Sequence, residues 1–296
     1  MNKKEDLFTN KRILICGKGG SGKSTITILL AEYFMNCNYQ VCVLDADSTN
    51  TGIYQMMGFK KPPVSLINYF GDTVFVGGKV SCPVDDPRFL PGAEISLNKI
   101  PNKYYSSNNK NLFLFQLGKI GDKGPGAGCD GPISKIARDL RINQIGPRPI
   151  TLIDAKAGLE DSARGVITSM DLVITIVEPN ITSIQIAEDV KNLVSLIKEG
   201  GLPATEHLKD SKLVEQANKI YKEAKIKKSF TLLNKVDSKN TENYLRKELS
   251  KKGIEPIGVI HEDSLIPTSW LKGSPLKSTE SKKDIINAIE EIKKFI

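Results

Sequence analysis

The chain has 296 residues, 40% hydrophobic and 26% charged, which is enough to bury a full core at the upper end of one α/β domain. No apolar stretch approaches a membrane span, and the opening Met1-Asn2-Lys3-Lys4-Glu5-Asp6 lacks a signal peptide's apolar core, so a cytoplasmic location is expected. Five cysteines without an export signal argue against a disulfide framework, and the +8 charge is spread over lysines mixed with glutamates, as on solvated helix faces.

Short runs rich in Val, Ile and Leu alternate with helical patterns. Residues 12–16 read as a buried strand and 25–34 as a helix, followed by strands at 40–44 and, after a long interval, 111–116. Strands at 149–153, 172–177, 229–233 and 256–260 follow, with helices at 133–140, 181–197, 213–224 and 242–251. Cys16 and Cys42 fall inside two of the strands and read as small core residues. This alternation predicts an α/β fold with a doubly wound, mostly parallel sheet, helices on both faces and right-handed crossovers. Residues 71–110, with Pro83, Pro87, Pro91 and Pro101, break the rhythm. They read as an irregular excursion from one domain spanning 1–296, because no linker separates two units.

Between the first strand and helix stands Gly17-Lys18-Gly19-Gly20-Ser21-Gly22-Lys23-Ser24-Thr25. A strand, a glycine-rich turn and a helix N-terminus make a nest of backbone N–H groups suited to phosphate. In this pattern Lys23 reaches the β- and γ-phosphates and the Ser24 hydroxyl holds Mg²⁺. The chain is therefore expected to bind a nucleoside triphosphate. The run resembles the deviant Walker A box, KGGxGK[ST], of the MinD/ParA and nitrogenase iron protein superfamily of P-loop (SIMIBI-type) NTPases. That resemblance implies a homodimer closed by ATP, in which Lys18 crosses to the partner's phosphates as an arginine finger does.

Further along, Val41-Cys42-Val43-Leu44-Asp45-Ala46-Asp47 ends the second strand in two acids. Asp47 matches the superfamily's switch I acid that orients the attacking water, and Asp45 is expected to support the Mg²⁺ shell or the loop. A strand-terminal aspartate that caps the next turn is the plain alternative for Asp47. Thr151-Leu152-Ile153-Asp154 has the Walker B form, with Asp154 holding Mg²⁺ through water. Gly158 then offers its N–H to the γ-phosphate from switch II.

Asp154-Ala155-Lys156-Ala157-Gly158-Leu159-Glu160 with Arg164-Gly165 resembles the segment D-x-E-A-G-x-E-h-x-x-R-G of CooC-type ATPases, which help insert nickel into carbon monoxide dehydrogenase. Ile174-Thr175-Ile176-Val177-Glu178-Pro179-Asn180 and Ser183 continue the likeness, while Lys156 departs from it by replacing a glutamate. Asn234, in Asn234-Lys235-Val236-Asp237, faces adenine in relatives; the spacing also resembles the NKxD of GTPases, so Asp237 leaves guanine open. His261-Glu262-Asp263 falls where the family's base-flanking loop lies. Cys129 sits in the glycine-rich run 124–132, whose counterpart in CooC-type proteins carries a C-x-C pair. Gly131 replaces the second cysteine, so Zn²⁺ or Ni²⁺ shared between two Cys129 thiolates at the dimer interface needs help from Asp130 or Cys82. A free loop thiol is the plain alternative.

These features point to a nucleotide-switched, dimeric, Mg²⁺-dependent ATPase that matures a client metalloenzyme, carbon monoxide dehydrogenase or a relative. Neither nucleic acid nor membrane is an expected partner. The rivals are a ParA-type partitioning ATPase that binds DNA through surface lysines, and a MinD-type positioning ATPase. The latter would use the stretch 282–296, with Ile285, Ile289, Ile292 and Ile296 on one stripe, as a membrane helix; a final helix packed on the sheet is the simpler expectation.

Overall fold

Alternation along the first strand sets the layering. In β1 (Arg12–Gly17), Ile13 and Ile15 face one helical layer and Leu14 and Cys16 the other, and all four are fully buried. The computed structural model describes residues 7–71, 80–108, 111–119 and 130–296. After β1 come α1 (Lys23–Asn36), β2 (Gln40–Asp45), the single-turn helices α2 (Ile53–Met56) and α3 (Leu66–Tyr69), and β3 (Glu94–Ser96). Next are β4 (Ser106–Ser107), β5 (Leu112–Gln116), α4 (Gly131–Asp139), β6 (Arg141–Asn143), β7 (Pro149–Asp154) and α5 (Glu160–Ala163). The remainder is β8 (Leu172–Val177), α6 (Ile181–Lys198), α7 (Ser211–Lys222), β9 (Lys228–Val236), α8 (Lys239–Ser250), β10 (Gly258–His261), α9 (Leu265–Lys272) and α10 (Glu280–Lys293).

The main sheet has the order β10-β9-β8-β1-β7-β2-β5-β4, parallel throughout except for β4 at the edge. The chain leaves β1 toward β2 on one side and returns through β7 to β8 on the other. The strand order therefore reverses at β1, where a crevice opens at the carboxyl ends of the strands. Ile26 and Leu30 of α1 and Ile285 and Ile289 of α10 cover one face; Ile136 of α4 and Val190 and Val194 of α6 cover the other. The isoleucine stripe at Ile285, Ile289 and Ile292 thus packs into the core, each residue no more than 2% exposed. No helix among the described residues is long and apolar enough to cross a membrane.

The excursion holds more structure than its sequence suggests. β4 pairs antiparallel with β5, and β3 pairs in parallel with β6 as a separate two-stranded sheet. Two residues in β4 and three in β3 are too few to leave a periodic signal. The strand expected at 229–233 runs on to Val236, so Asn234 and Lys235 lie within β9.

Candidate nucleotide site

The phosphate loop leaves the end of β1 by a path that needs glycine at two positions. A Cβ on Gly17 (φ 142°) would lie 2.6 Å from Ile176 O, and one on Gly22 (φ 95°) 2.3 Å from Asn234 Nδ2. Between them Gly19, Gly20 and Ser21 curl over, and α1 begins at Lys23, with Ser24 and Thr25 in its first turn. Lys23 Nζ donates to Lys18 O at 3.1 Å, so the loop holds its own lysine. A cavity of about 410 Å³ adjoins the loop, lined by Gly20, Lys23 and Ser24, by Asp47 and Asn50 after β2, and by Pro267 and Trp270 of α9. The Trp270 indole is fixed there by a 3.0 Å bond to Thr25 Oγ1.

Three aspartates stand at the ends of the adjacent strands β7 and β2: Asp154 closes β7, Asp45 closes β2 and Asp47 follows two residues later. Asp154 is fully buried and accepts from Ser24 Oγ at 2.6 Å; Asn50 Nδ2 donates to the same hydroxyl at 2.7 Å. Burial pushes the Asp154 carboxyl up to about 6, against the opposing pull of the Ser24 bond and the Lys23 charge. Asp45 is pushed up to about 7, again by burial, although the Lys119 ammonium lies 2.7 Å away and pulls it down. Lys119 also donates to Asp47 O. Asp47 Oδ1 accepts from Thr49 N at 2.9 Å, Thr49 Oγ1 at 2.6 Å and Asn50 N at 3.3 Å. Burial works to raise the Asp47 carboxyl, but those bonds and Lys119 hold it below its ordinary value. Asp47 thus both faces the cavity and caps the turn that follows. Asp45 supports the loop through Lys119 and by accepting from Asp47 N at 3.2 Å.

A serine hydroxyl and a buried carboxylate within hydrogen-bonding distance form an all-oxygen donor set. Such a set fits Mg²⁺, a hard cation that retains waters and takes phosphate oxygens for the rest of its shell. Among the described residues, no group of three or more His, Cys, Asp or Glu side chains is arranged to hold a metal. Cys129 lies outside the described residues. Cys82 lies beside the start of α4: a Cβ on Gly131 would meet its Sγ at 2.7 Å.

The switch residues are held in place. Gly158 (φ 86°) gives its N–H to Gly17 O at 2.9 Å, docking switch II on the phosphate loop. Lys18 lies 3.2 Å from Glu178 Oε1, and Lys235 Nζ lies 3.1 Å from Glu178 Oε2 and 2.5 Å from Gly20 O. Lys235 adopts the left-handed conformation, φ 58°, that brings its ammonium to this point.

Two residues expected near the base have partners within the chain. Asn234 is 6% exposed and donates from Nδ2 to Ser21 O at 2.7 Å, so its amide supports the loop here. Asp237 is exposed, and bonds from Thr241 and Ser238 at the start of α8 hold its carboxyl below its ordinary value. Asp263 fastens the entry of α9 to residues 278–281, accepting from Ser278 Oγ at 2.9 Å and Thr279 N at 2.8 Å. It thereby positions Trp270 without facing the cavity itself. Asn50, Lys119, Glu178 and Trp270 were not read as site residues. They come from four separate places in the chain, and only the parallel packing of β1, β2, β5 and β8 brings them to one crevice.

Residues 13–276 match the family model of the CobQ/CobB/MinD/ParA nucleotide binding domain. The chain is 32% identical over 184 residues to an uncharacterized ATP-binding protein of Methanocaldococcus jannaschii, covering 62% of this chain and 72% of the relative. It is 26% identical over 187 residues to the carbon monoxide dehydrogenase accessory protein CooC of Rhodospirillum rubrum, covering 62% and 68% of the two chains. In fold it is similar to the septum site-determining protein MinD of Pyrococcus horikoshii, solved with Mg-ADP, at a TM-score of 0.58 and 16% identity over 96% of both chains. The chain belongs to the CobQ/CobB/MinD/ParA nucleotide-binding family of P-loop ATPases.

Proposed function

We propose that the protein is a nucleotide-switched ATPase, one domain over its length, that closes as a dimer on Mg-ATP and services the maturation of a client metalloenzyme. The observation that carries the switch is the convergence of Ser24, Asp154, Asp47 and Gly158 on the mouth of one phosphate loop. Ser24 and Asp154 would hold Mg²⁺, which supplies charge neutralisation at the phosphates. Lys23 leaves Lys18 O to bind phosphate oxygens, and Gly158 exchanges Gly17 O for the γ-phosphate. Asp47, kept ionised, aligns a water for in-line attack. Lys18 leaves Glu178 and crosses to the partner's phosphates. Trp270 and Pro267 wall the cavity on the side open to the base, a flat apolar surface suited to adenine.

The maturation role is supported by the CooC relative and by the switch II residues Asp154, Gly158, Glu160, Arg164 and Gly165 shared with its type. The basic surface offers less support for a DNA reading, since lysines pair with neighbouring acids: Lys251 with Glu248, Lys282 with Glu32, Lys293 with Glu290 and Lys294 with Glu291. A membrane helix at 282–296 is disfavoured by the burial of its isoleucine stripe.

Two substitutions test the switch. Lys23→Ala should abolish nucleotide binding, whereas Lys18→Ala should retain binding and lose both turnover and ATP-driven dimerisation in light scattering. A Lys18→Ala monomer that hydrolyses ATP at the wild-type rate refutes the trans-lysine step. For the client, co-expression with a nickel-dependent carbon monoxide dehydrogenase should raise its nickel content with wild type and not with Lys18→Ala. Equal nickel with and without the protein refutes the maturation role.

A further inference from the structure

Lys156, two residues beyond Asp154, replaces the glutamate of the CooC-type pattern, and the structure supplies its counterpart. Its ammonium is ion-paired with Asp130 Oδ2, immediately before α4. Its backbone N–H donates to Asp161 Oδ2 at 3.0 Å, and the other Asp161 oxygen accepts from Ser134 Oγ at 2.7 Å. Ser134 sits in the first turn of α4, and its backbone N–H donates to Asp130 O at 2.9 Å. Switch II and the start of α4 are thus joined in a closed ring through the Lys156 side chain, Asp130, Ser134, Asp161 and the Lys156 backbone.

The acceptor side of the ring is buried, with Ser134 inaccessible, Asp161 4% exposed and Asp130 7%, while the Lys156 side chain reaches it from a half-buried position. Asp130 Oδ1 is buried without a hydrogen-bond partner among the described residues, so Lys156 is the group that compensates this carboxylate. The bond from Asp130 in turn raises the Lys156 ammonium above its ordinary range. The far end of α4 is anchored to the sheet. The Arg12 guanidinium of β1 donates to Ala137 O at 2.6 Å and Leu140 O at 2.7 Å. A helix fixed at its carboxyl end and joined to switch II at its amino end is placed to follow switch II, and Lys135, bonded to Asp86 O at 2.8 Å, links the same half of the helix to the segment that carries Cys82.

We propose that Lys156 is a positioning residue that transmits the movement of switch II, through its ion pair with Asp130, to the first turn of α4 and to Cys82 packed against Gly131. This rests on the nucleotide-switch reading above. Like-charge or neutral partners break the transmission; a reversed pair preserves it.

Hydrogen exchange on the full chain, with and without Mg-ATP, tests it. In wild type both 154–160 and 131–139 should change exchange on Mg-ATP. Lys156→Gln and Asp130→Asn should keep the response at 154–160 and reduce that at 131–139 by roughly threefold to tenfold. The reversed pair Lys156→Asp with Asp130→Lys should recover it, and kcat should fall in the single variants with KM for ATP nearly unchanged. Asp130→Asn preserves side-chain shape and carries the test if Lys156→Gln does not fold. If 154–160 responds and the single variants respond at 131–139 as wild type does, the transmission is refuted and the switch stands. If 154–160 is silent in wild type, the switch reading fails and takes the transmission with it.

Discussion

Lys119→Met should unfold the protein more easily at high pH than at low pH, and the reason is Asp45. That carboxylate is 1% exposed at the side chain and sits 2.7 Å from an ammonium that is itself 8% exposed. Even with this partner, burial raises Asp45 from 3.8 to about 7, with Asp154 and Asp47 repelling its charge. A folded value above the unfolded one means stability is fully present below about pH 4 and is lost as pH rises toward 7. At 1.36 kcal/mol for each tenfold step, that loss is about 4 kcal/mol in wild type. Removing Lys119 strands the carboxylate, which costs about 3 kcal/mol more when Asp45 is ionised and carries the loss to still higher pH. At about pH 6 Asp45 keeps its proton in both proteins, and the difference should shrink to about 1 kcal/mol. Urea unfolding without nucleotide or Mg²⁺, compared by midpoint at constant m-value, measures this. The double variant Lys119→Met, Asp45→Asn should recover most of the loss above pH 8, since no buried charge remains unpaired. Equal destabilisation by Lys119→Met at both pH values, or a double variant no more stable than the single, would refute the account.

Two other outcomes concern the cavity. Asp47→Ala should accumulate an ATP-bound dimer, because closure persists while water is no longer aligned; an inability to dimerise with ATP in light scattering would assign Asp47 to its turn-capping role alone. A Cβ on Gly52 would approach Trp270 Cζ3 to 2.9 Å, and Trp270 is the sole tryptophan, so its emission reports this wall directly. Mg-ATP should change that emission in wild type, and Gly52→Ala should shift it in the free protein and weaken nucleotide binding severalfold; an unchanged spectrum in both cases places the base elsewhere.

The phosphate loop, the Walker B strand and the layering were legible in the sequence because each is written in contiguous residues. Gly17 and Gly22 announce positions a Cβ would block, and the apolar runs at 149–153 and 172–177 could be covered only on both faces. What escaped was assembled from distant segments. Lys119 lies 74 residues after Asp45 by the numbering of the chain, and nothing near it marks it as a partner. Trp270 reaches the cavity only because Asp263 fixes the entry of α9, a hydrogen-bonding role that His261-Glu262-Asp263 does not declare. The bond that Asn234 makes to the phosphate loop is equally unmarked in the sequence. Its register on β9 brings its amide to Ser21 O, a consequence of a strand longer than its apolar run. Lys156 stands in the sequence only as a departure from the switch II pattern, because its partner Asp130 is 26 residues away.

The groups proposed to bind phosphate and Mg²⁺ are already partnered within the chain, and that bears on how strongly nucleotide can bind. Lys23 is given to Lys18 O, Lys18 to Glu178, Gly158 N to Gly17 O and Ser24 Oγ to Asp154. On the proposed function each of these must be exchanged for a contact to nucleotide, to Mg²⁺ or to a second subunit. An exchanged hydrogen bond contributes only the difference between two bonds, about 1 kcal/mol, with charged partners giving about twice that. The gain therefore concentrates where a charged oxygen replaces a neutral carbonyl, at Lys23 and Gly158. For Lys18 the exchange is of one anion for another, Glu178 for the partner's phosphate, so its net contribution within a single subunit is close to nil. Lys18 then favours closure only once a second copy presents its phosphates, which makes dimerisation the step most sensitive to the strength of the Glu178 pair. The same self-satisfied arrangement explains why switch II can return to Gly17 O when the γ-phosphate leaves: the resting bond is local, short and available at no cost in chain order.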